Sequence, residues 1–153
     1  MKFKRVGILI AIVLAIIIYL FNRADIELTK QDTFSVAPIG ETGYLLKSEL
    51  HLNNPNLLSS TIITITEKYF IAGREVARMS MEINQGIPGR KETSFPISVR
   101  FNKADVQAIF PNDTILTNVK CEVTVTGEIT FQNVVGGGTI TVNQKDSVLI
   151  SVQ

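Results

Sequence analysis

The spacing of apolar residues divides the chain into two unlike parts. From Val6 to Phe21, fifteen of sixteen residues are apolar or aromatic, and Gly7 is the exception. After position 21, apolar and polar residues alternate, which is typical of β-strands that bury one face and expose the other. We therefore predict a membrane anchor with a short basic tip at residues 1–21 and a β domain at residues 22–153.

The first segment has the length of an uncleaved membrane anchor. Phe3–Phe21 contains 19 residues, and a membrane-spanning helix needs about 17–25. The alternatives are a buried core helix or a cleaved signal peptide, whose apolar region of about 7–15 residues would end in a small-x-small cleavage site. Asn-Arg-Ala at residues 22–24 is the only candidate for that site and fits it poorly, because Asn is bulky and Arg is charged. We therefore favour the anchor.

The basic residues of this segment predict its orientation. Lys2, Lys4 and Arg5 precede the apolar run, whereas Arg23 is followed by Asp25. Positive charges flanking a membrane span stay on the cytoplasmic side. We expect a cytoplasmic N-terminus, contact with the lipid bilayer through the helix, and an extracytoplasmic C-terminal domain, periplasmic or extracellular.

The remaining residues predict an all-β fold. Val, Ile and Thr make up about 30% of residues 22–153, and β-branched residues favour strands. Seven strands with turn signals between them are typical of an antiparallel sandwich of the immunoglobulin or fibronectin-III kind. The predicted strands are 26–36, 44–53, 61–71, 75–82, 93–101, 119–131 and 139–150.

Alternation also predicts which side chains face the core. Pro96 cannot donate a ladder hydrogen bond, so its strand should lie at a sheet edge or carry a bulge. One short helix, Lys103–Phe110, is expected to cross between strands, capped by Asn102 and ended by Pro111. The predicted core residues are Tyr44, Leu46, Leu50, Leu52, Phe95, Ile97, Val99, Phe101, Cys121, Val123, Val125, Ile129 and Phe131.

Charge and residue counts narrow the possible chemistry. Residues 22–153 carry a net charge of −2, which argues against a nucleic-acid partner. The chain has one histidine and one cysteine, too few for a zinc site or a disulfide. We expect His51 to be a solvated strand residue and Cys121 to be buried. No catalytic, cofactor or metal residue is assigned, and the protein is expected not to be an enzyme.

Three turn motifs resemble a known family. They are Asn53-Asn54-Pro55-Asn56 after an alternating strand, Gly73 between two strands, and the turn Pro88-Gly89. Their order resembles the type 2 late embryogenesis abundant family, also called the water-stress and hypersensitive-response domain. The resemblance covers about Tyr44–Phe131. Charged residues 90–92 and the segment before Tyr44 depart from the family pattern.

The resemblance implies a folded immunoglobulin-like or fibronectin-like sandwich, often behind one membrane span and associated with desiccation and stress. It supplies no established catalytic residues. From the residues themselves, Pro55 ends the strand and Asn side chains satisfy turn backbone groups. A ligand-contact role for Asn53, Asn54 or Asn56 is the alternative.

Two further functions remain open. The domain could be a structural adaptor in a cell-envelope or secretion assembly, using a sheet edge, or a lipid-binding module between the sheets. An envelope protein, a lipid or a polymer would be the partner. Basic residues 90–91 are solvated charges or a small patch near lipid headgroups. Asn112 begins a glycosylation sequon.

Overall fold

The computed structural model describes residues 2–110 and 119–150. Within these ranges, a long N-terminal helix precedes eight strands and one short helix. The elements are α1 Lys2–Phe21, β1 Glu27–Gln31, β2 Ser35–Ile39, β3 Gly43–Asn54, β4 Ser60–Ile71, β5 Arg74–Ile87, β6 Lys91–Asn102, α2 Lys103–Gln107, β7 Val119–Gln132 and β8 Gly137–Ile150.

The strands form two four-stranded antiparallel sheets that pack as a sandwich. In the first sheet, β3 pairs with β6 along one edge and with both β1 and β2 along the other. The second sheet has the order β5-β4-β7-β8. The predicted antiparallel β architecture with one short crossing helix is confirmed.

The predicted strand 26–36 is instead two short strands. β1 pairs with the end of β3, and β2 pairs with its beginning. Between them the chain leaves the sheet edge, and Phe34 turns into the core, where it is 7% exposed. Its ring packs edge-on against Tyr69, with the ring centroids 6.4 Å apart. Burial of one aromatic side chain therefore interrupts a continuous strand.

The predicted core positions are buried. All thirteen are at most 5% exposed, because strict alternation places them on the inner faces of β3, β6 and β7. Pro96 lies in β6, which pairs only with β3 among the described residues. Of the two predicted alternatives for Pro96, the edge strand is confirmed, and the β3–β6 register shows no bulge.

The short helix forms where it was predicted, but it is shorter and is not capped as expected. α2 covers Lys103–Gln107, and Val106 is buried beneath it. Asn102 occupies the N-cap position without a side-chain capping hydrogen bond. The backbone N–H of Lys103 instead donates to the carbonyl oxygen of Thr42 over 2.8 Å. Pro111 and the sequon at Asn112 lie outside the described residues.

Helix α1 ends at Phe21, the last residue of the predicted anchor. The expectation of a transmembrane helix is not met: within residues 2–110 and 119–150, no helix is long and apolar enough to cross a membrane. The apolar run Val6–Phe21 extends for about 24 Å at about 1.5 Å per residue. The division into residues 1–21 and 22–153 stays a prediction.

Candidate functional site

The Asn-Pro-Asn motif lies at the end of the sandwich where α1 joins it. Asn54 is the last residue of β3, and Pro55 and Asn56 begin the loop to β4. Asn54 is fully buried and Asn56 is 1% exposed. Asn53 points the other way and donates through Nδ2 to Glu27 Oε2 over 3.3 Å, in an exposed contact. The motif therefore has two inward amides and one outward amide.

Asn54 connects two loops of this end. Its Nδ2 donates to the carbonyl oxygens of Leu58 and Ile87, both over 3.0 Å. Its Oδ1 accepts a hydrogen bond from the backbone N–H of Asn56 at 3.0 Å. One side-chain amide thus satisfies two backbone groups of the β3–β4 loop and one at the end of β5. Buried backbone groups of this kind need partners within the protein.

Asn56 fixes the chain that leaves α1. Its Nδ2 donates to the carbonyl oxygen of Ala24 over 2.8 Å, and its Oδ1 accepts from the N–H of Ala24 at 3.0 Å. This reciprocal pair imitates the backbone pairing of two strands. The carbonyl oxygen of Asn56 also accepts from the N–H of Arg90 at 2.9 Å.

Asn22 completes this network, although no motif in the sequence marks it for this role. It follows α1 directly and is fully buried. Its Nδ2 donates to the carbonyl oxygen of Ile18 over 2.7 Å, and its Oδ1 accepts from the N–H of Leu58 at 2.7 Å. The N–H of Leu57 donates to the carbonyl oxygen of Phe21 over 3.1 Å. We call Asn22, Asn54 and Asn56 the asparagine junction.

The Pro88-Gly89 turn packs directly against the asparagine junction. A Cβ atom at Gly89 would lie 2.1 Å from the carbonyl oxygen of Leu57 and 2.9 Å from that of Asn56. No side chain fits there without backbone movement. Pro88 itself is exposed. Gly89 is the residue that allows this turn to lie against the backbone of the β3–β4 loop.

Gly73 lies at the opposite end of the sandwich. With Ala72 it forms the two-residue turn between β4 and β5, with φ angles of 49° and 78°. Both angles are positive, as in the type I′ turns that suit twisted hairpins. The structure therefore brings Asn53, Asn54, Pro55, Asn56, Pro88 and Gly89 together and leaves Gly73 apart.

A second unusual feature is a carboxyl group in the core. Glu67 and Tyr69 of β4 are each 1% exposed, and the Tyr69 hydroxyl donates to Glu67 Oε2. Glu67 Oε1 has no hydrogen-bond partner among residues 2–110 and 119–150. Burial raises the pKa of Glu67, while the hydrogen bond from Tyr69 lowers it in part. The pKa of Tyr69 is raised, chiefly by burial, so its hydroxyl stays a donor.

Gly127 of β7 makes room for this carboxyl group. It pairs with Glu67 across the sheet, and a Cβ atom on it would lie 2.1 Å from the carbonyl oxygen of Thr66 and 3.0 Å from Glu67 Cγ. Two sequence signals could have revealed the arrangement. Alternation along strand 61–71 places Glu67 inward, and Gly127 is the one gap in the apolar face of strand 119–131.

The prediction for His51 was wrong, because its side chain is largely covered. It is 12% exposed, with Nε2 3.2 Å from Asp32 Oδ2 and Nδ1 3.4 Å from Glu92 Oε1. Ser94 Oγ lies 3.1 Å from Nδ1. Outward-facing strand residues become covered when neighbouring strands bring long side chains over them, and alternation alone does not reveal this.

Asp32, Glu49 and His51 form a possible metal-ligand group. One ligand atom from each lies within 4.8 Å of the others, and carboxylates and imidazole are common metal ligands. However, Lys30 Nζ lies 2.9 Å from Asp32 Oδ1. The hydrogen bond from Lys30, with the nearby His51 ring, holds the pKa of Asp32 below its usual value. The ammonium group of Lys30 therefore already pairs with this carboxylate.

Cys121 lies in β7, in the other sheet from His51. It is 3% exposed, as predicted for an inward strand position. Burial raises the pKa of its thiol, and a raised pKa disfavours the reactive thiolate. The two residues therefore do not form the activated pair that thiol catalysis requires.

Comparisons with known proteins support the fold. No protein-family model matches the chain, and no curated protein matches it in sequence. Among solved structures, a candidate plant late embryogenesis abundant protein is similar at 20% identity and a TM-score of 0.66, over 83% of this chain and 72% of that one. The chain therefore shares its fold with a candidate protein of the late embryogenesis abundant group.

Two more solved structures have a similar fold. A protein from Arabidopsis thaliana has 16% identity and a TM-score of 0.64, over 83% of this chain and 85% of that one. A protein from Archaeoglobus fulgidus has 11% identity and a TM-score of 0.59, over 83% of this chain and all of that one. Identities this low establish the shared fold and leave function open.

Replacing Asn54 tests the asparagine junction. Asn54→Ala is expected to lower the free energy of unfolding by about 1–3 kcal/mol, because it leaves buried backbone groups without partners. Asn53→Ala, one residue earlier but in an exposed contact, should change it by less than about 0.5 kcal/mol. Urea denaturation of both variants in detergent measures this; equal effects would show that Asn54 has no special role.

Replacing Glu67 tests the buried carboxyl group through its pH dependence. The raised pKa means that, as pH rises above the usual 4.5, the unfolded chain loses this proton first. Glu67 therefore contributes a fall in stability with rising pH, up to its folded-state pKa. Relative to wild type, Glu67→Gln should gain stability as pH increases above 4.5.

The exposed Glu128, next to Gly127 in β7, provides the control for this experiment. Its pairing partner is Thr66, so Glu128→Gln changes the same kind of group one residue away, on the outside of the sheet. The gain in stability with pH that is predicted for Glu67→Gln should exceed any change seen in this variant. Urea denaturation between pH 4 and 8 compares the three proteins; parallel curves for wild type and Glu67→Gln would refute the assignment.

Proposed function

We propose that this protein is a non-enzymatic β-sandwich, held at a membrane by α1, that protects or binds cell-envelope components under water stress. One observation carries the membrane attachment. The large apolar side chains from Ile8 to Phe21 are 42–63% exposed, on every side of the helix. A helix that is apolar all round needs a surrounding apolar medium.

Lipid is the medium that fits the ends of this helix. The basic residues Lys2, Lys4 and Arg5 precede the apolar run in the sequence, and Lys and Arg beside an apolar helix generally reach anionic headgroups. An apolar helix shorter than the hydrocarbon layer is accommodated by local thinning of the bilayer and by such flanking residues. The short apolar run is therefore compatible with insertion.

The orientation in the membrane is part of the proposal. The basic residues before the apolar run favour a cytoplasmic N-terminus. The β domain would then lie outside the cytoplasm, in a periplasm or at the cell surface. The chain contains one cysteine, so the fold rests on its apolar core and not on an intramolecular disulfide, which is compatible with this location.

The stress-related part of the proposal rests on likeness of fold. The sandwich resembles that of the candidate late embryogenesis abundant protein, and the turn motifs follow the order of the type 2 family. We propose that the immunoglobulin-like or fibronectin-like form is presented as a binding and protective surface. One fold serves many functions, and a drying experiment tests the protective function separately.

An adaptor function is the second candidate, favoured by the free edge of β5. This strand is 14 residues long and pairs only with β4 among the described residues. An extended segment of another envelope protein could add to such an edge. A lipid site between the sheets is disfavoured, because large buried side chains such as Tyr44 and Tyr69 fill that space.

Membrane attachment is tested by placing charge on α1. Wild type should remain in the membrane pellet after an alkaline carbonate wash, whereas Ile12→Lys/Ile16→Lys should be released, since each buried Lys costs about 2.5–3.5 kcal/mol in a membrane. Leu149→Lys, at an exposed position of β8, should behave like wild type. Release of wild type by the wash would contradict attachment.

The protective function is tested by drying. Cells that lack the protein should survive drying less well than cells that carry it, and a plasmid copy of the wild-type gene should restore survival. The Ile12→Lys/Ile16→Lys copy should not restore it if protection acts at the membrane. Equal survival with and without the protein would refute protection and leave attachment intact.

A further inference from the structure

Exposed apolar side chains of the sandwich are concentrated at the end that α1 joins. Among the described residues after α1, five large apolar side chains are exposed. Four of them lie in two loops at this end: Leu57 at 49%, Leu58 at 41%, Val134 at 57% and Val135 at 38% exposure. The fifth, Leu149, pairs with Lys120 at the opposite end. We call the four loop residues the apolar collar.

Both loops meet at the exit of α1. The side-chain amides of Asn56 and Asn133 donate to the same acceptor, the carbonyl oxygen of Ala24, over 2.8 and 3.5 Å. The N–H of Leu57 donates to the carbonyl oxygen of Phe21, the last residue of the helix. The β3–β4 loop and the β7–β8 turn therefore lie beside the helix end.

The two loops are held in shape before any partner binds. Asn133 Oδ1 accepts from the N–H groups of Val135 and Gly136, both at 2.9 Å, and the N–H of Asn133 donates to the carbonyl oxygen of Gly136 over 2.7 Å. In the other loop, Asn22 holds the N–H of Leu58. The collar residues are thus exposed on ordered turns, and little conformational entropy is lost when they are covered.

Charged residues near the collar suit a headgroup layer. Arg23, Arg90 and Lys91 are exposed at this end of the sandwich. The exposed acids Asp25, Glu27 and Glu92 lie among them, so this end carries charges of both signs. The backbone of Arg90 is bonded to the carbonyl oxygen of Asn56. The basic residues of this mixed set can pair with the phosphate groups of lipid headgroups.

We propose that the apolar collar docks into the interfacial layer of the bilayer in which α1 is inserted. This proposal rests on the proposed membrane attachment and adds a second contact to it. Lipid is the favoured occupant because the collar adjoins the end of an apolar helix, and that end must lie at the membrane surface if the helix is in lipid. The apolar collar and the end of α1 would then lie at the same depth in the bilayer.

The test measures the environment of single labels on the full-length chain. Leu57→Cys, Val134→Cys, Val13→Cys in α1 and Leu149→Cys are made in a Cys121→Ala background and checked for native circular dichroism. Each is labelled with a nitroxide and reconstituted into vesicles of roughly three parts phosphatidylcholine to one part phosphatidylglycerol. Collision rates with oxygen, which enters lipid, and with a water-soluble nickel chelate are compared.

The expected result is that labels at positions 57 and 134 collide several-fold more with oxygen than with nickel, as the label at 13 does. The label at 149, an apolar position at the far end, should show the reverse. If positions 57 and 134 behave like 149 while 13 remains in lipid, docking is refuted and attachment stands. If position 13 is itself in water, the attachment fails and docking with it. Protection of 57 and 134 from both reagents would indicate a protein contact and overturn the lipid proposal.

Discussion

The structure depends on how buried backbone groups are satisfied at the end of the sandwich that joins α1. Strand ladders end there, so the loops must find other partners for their N–H and C=O groups. Side-chain amides supply them. Asn54 satisfies three backbone groups, Asn56 pairs with Ala24 in both directions, and Asn22 bridges the helix to Leu58. An amide can donate and accept at once without charge, which carboxylates and ammonium groups cannot do.

Much of the fold could be predicted from the sequence because alternation is a local property. The inward faces of β3, β6 and β7 follow from period-two spacing, and Pro96 marked its strand as an edge. Phe34 was missed because an aromatic residue within an apparent strand gives no sign that it will turn toward Tyr69, 35 positions away. The covering of His51 was missed for the same reason, because Asp32 in the β1–β2 connection and Glu92 in β6 are distant from it in the sequence.

The candidate site was only partly predictable. Pro55 and its flanking asparagines indicate a turn, but the acceptor atoms of Asn54 and the donors to Asn22 are set by contacts between distant segments. The burial of Glu67 is different, because alternation along the strand already places this residue on the inward face. Glu67 places a carboxyl group on an inward face, and Gly127 leaves a gap in the apolar face of another strand. The two residues pair across β4 and β7, so the gap accommodates the carboxyl group.

The bond between the N–H of Leu57 and the carbonyl oxygen of Phe21 has a mechanical consequence. Asn22 adds two further bonds, one to the helix end and one to the β3–β4 loop, so, in the proposed membrane setting, a tilt of α1 would be passed to the β domain. A helix tilts when the thickness of the surrounding layer changes. The joint would therefore act as a lever, converting a small change of helix angle into a larger sideways displacement of the far end, where Gly73 and Leu149 lie.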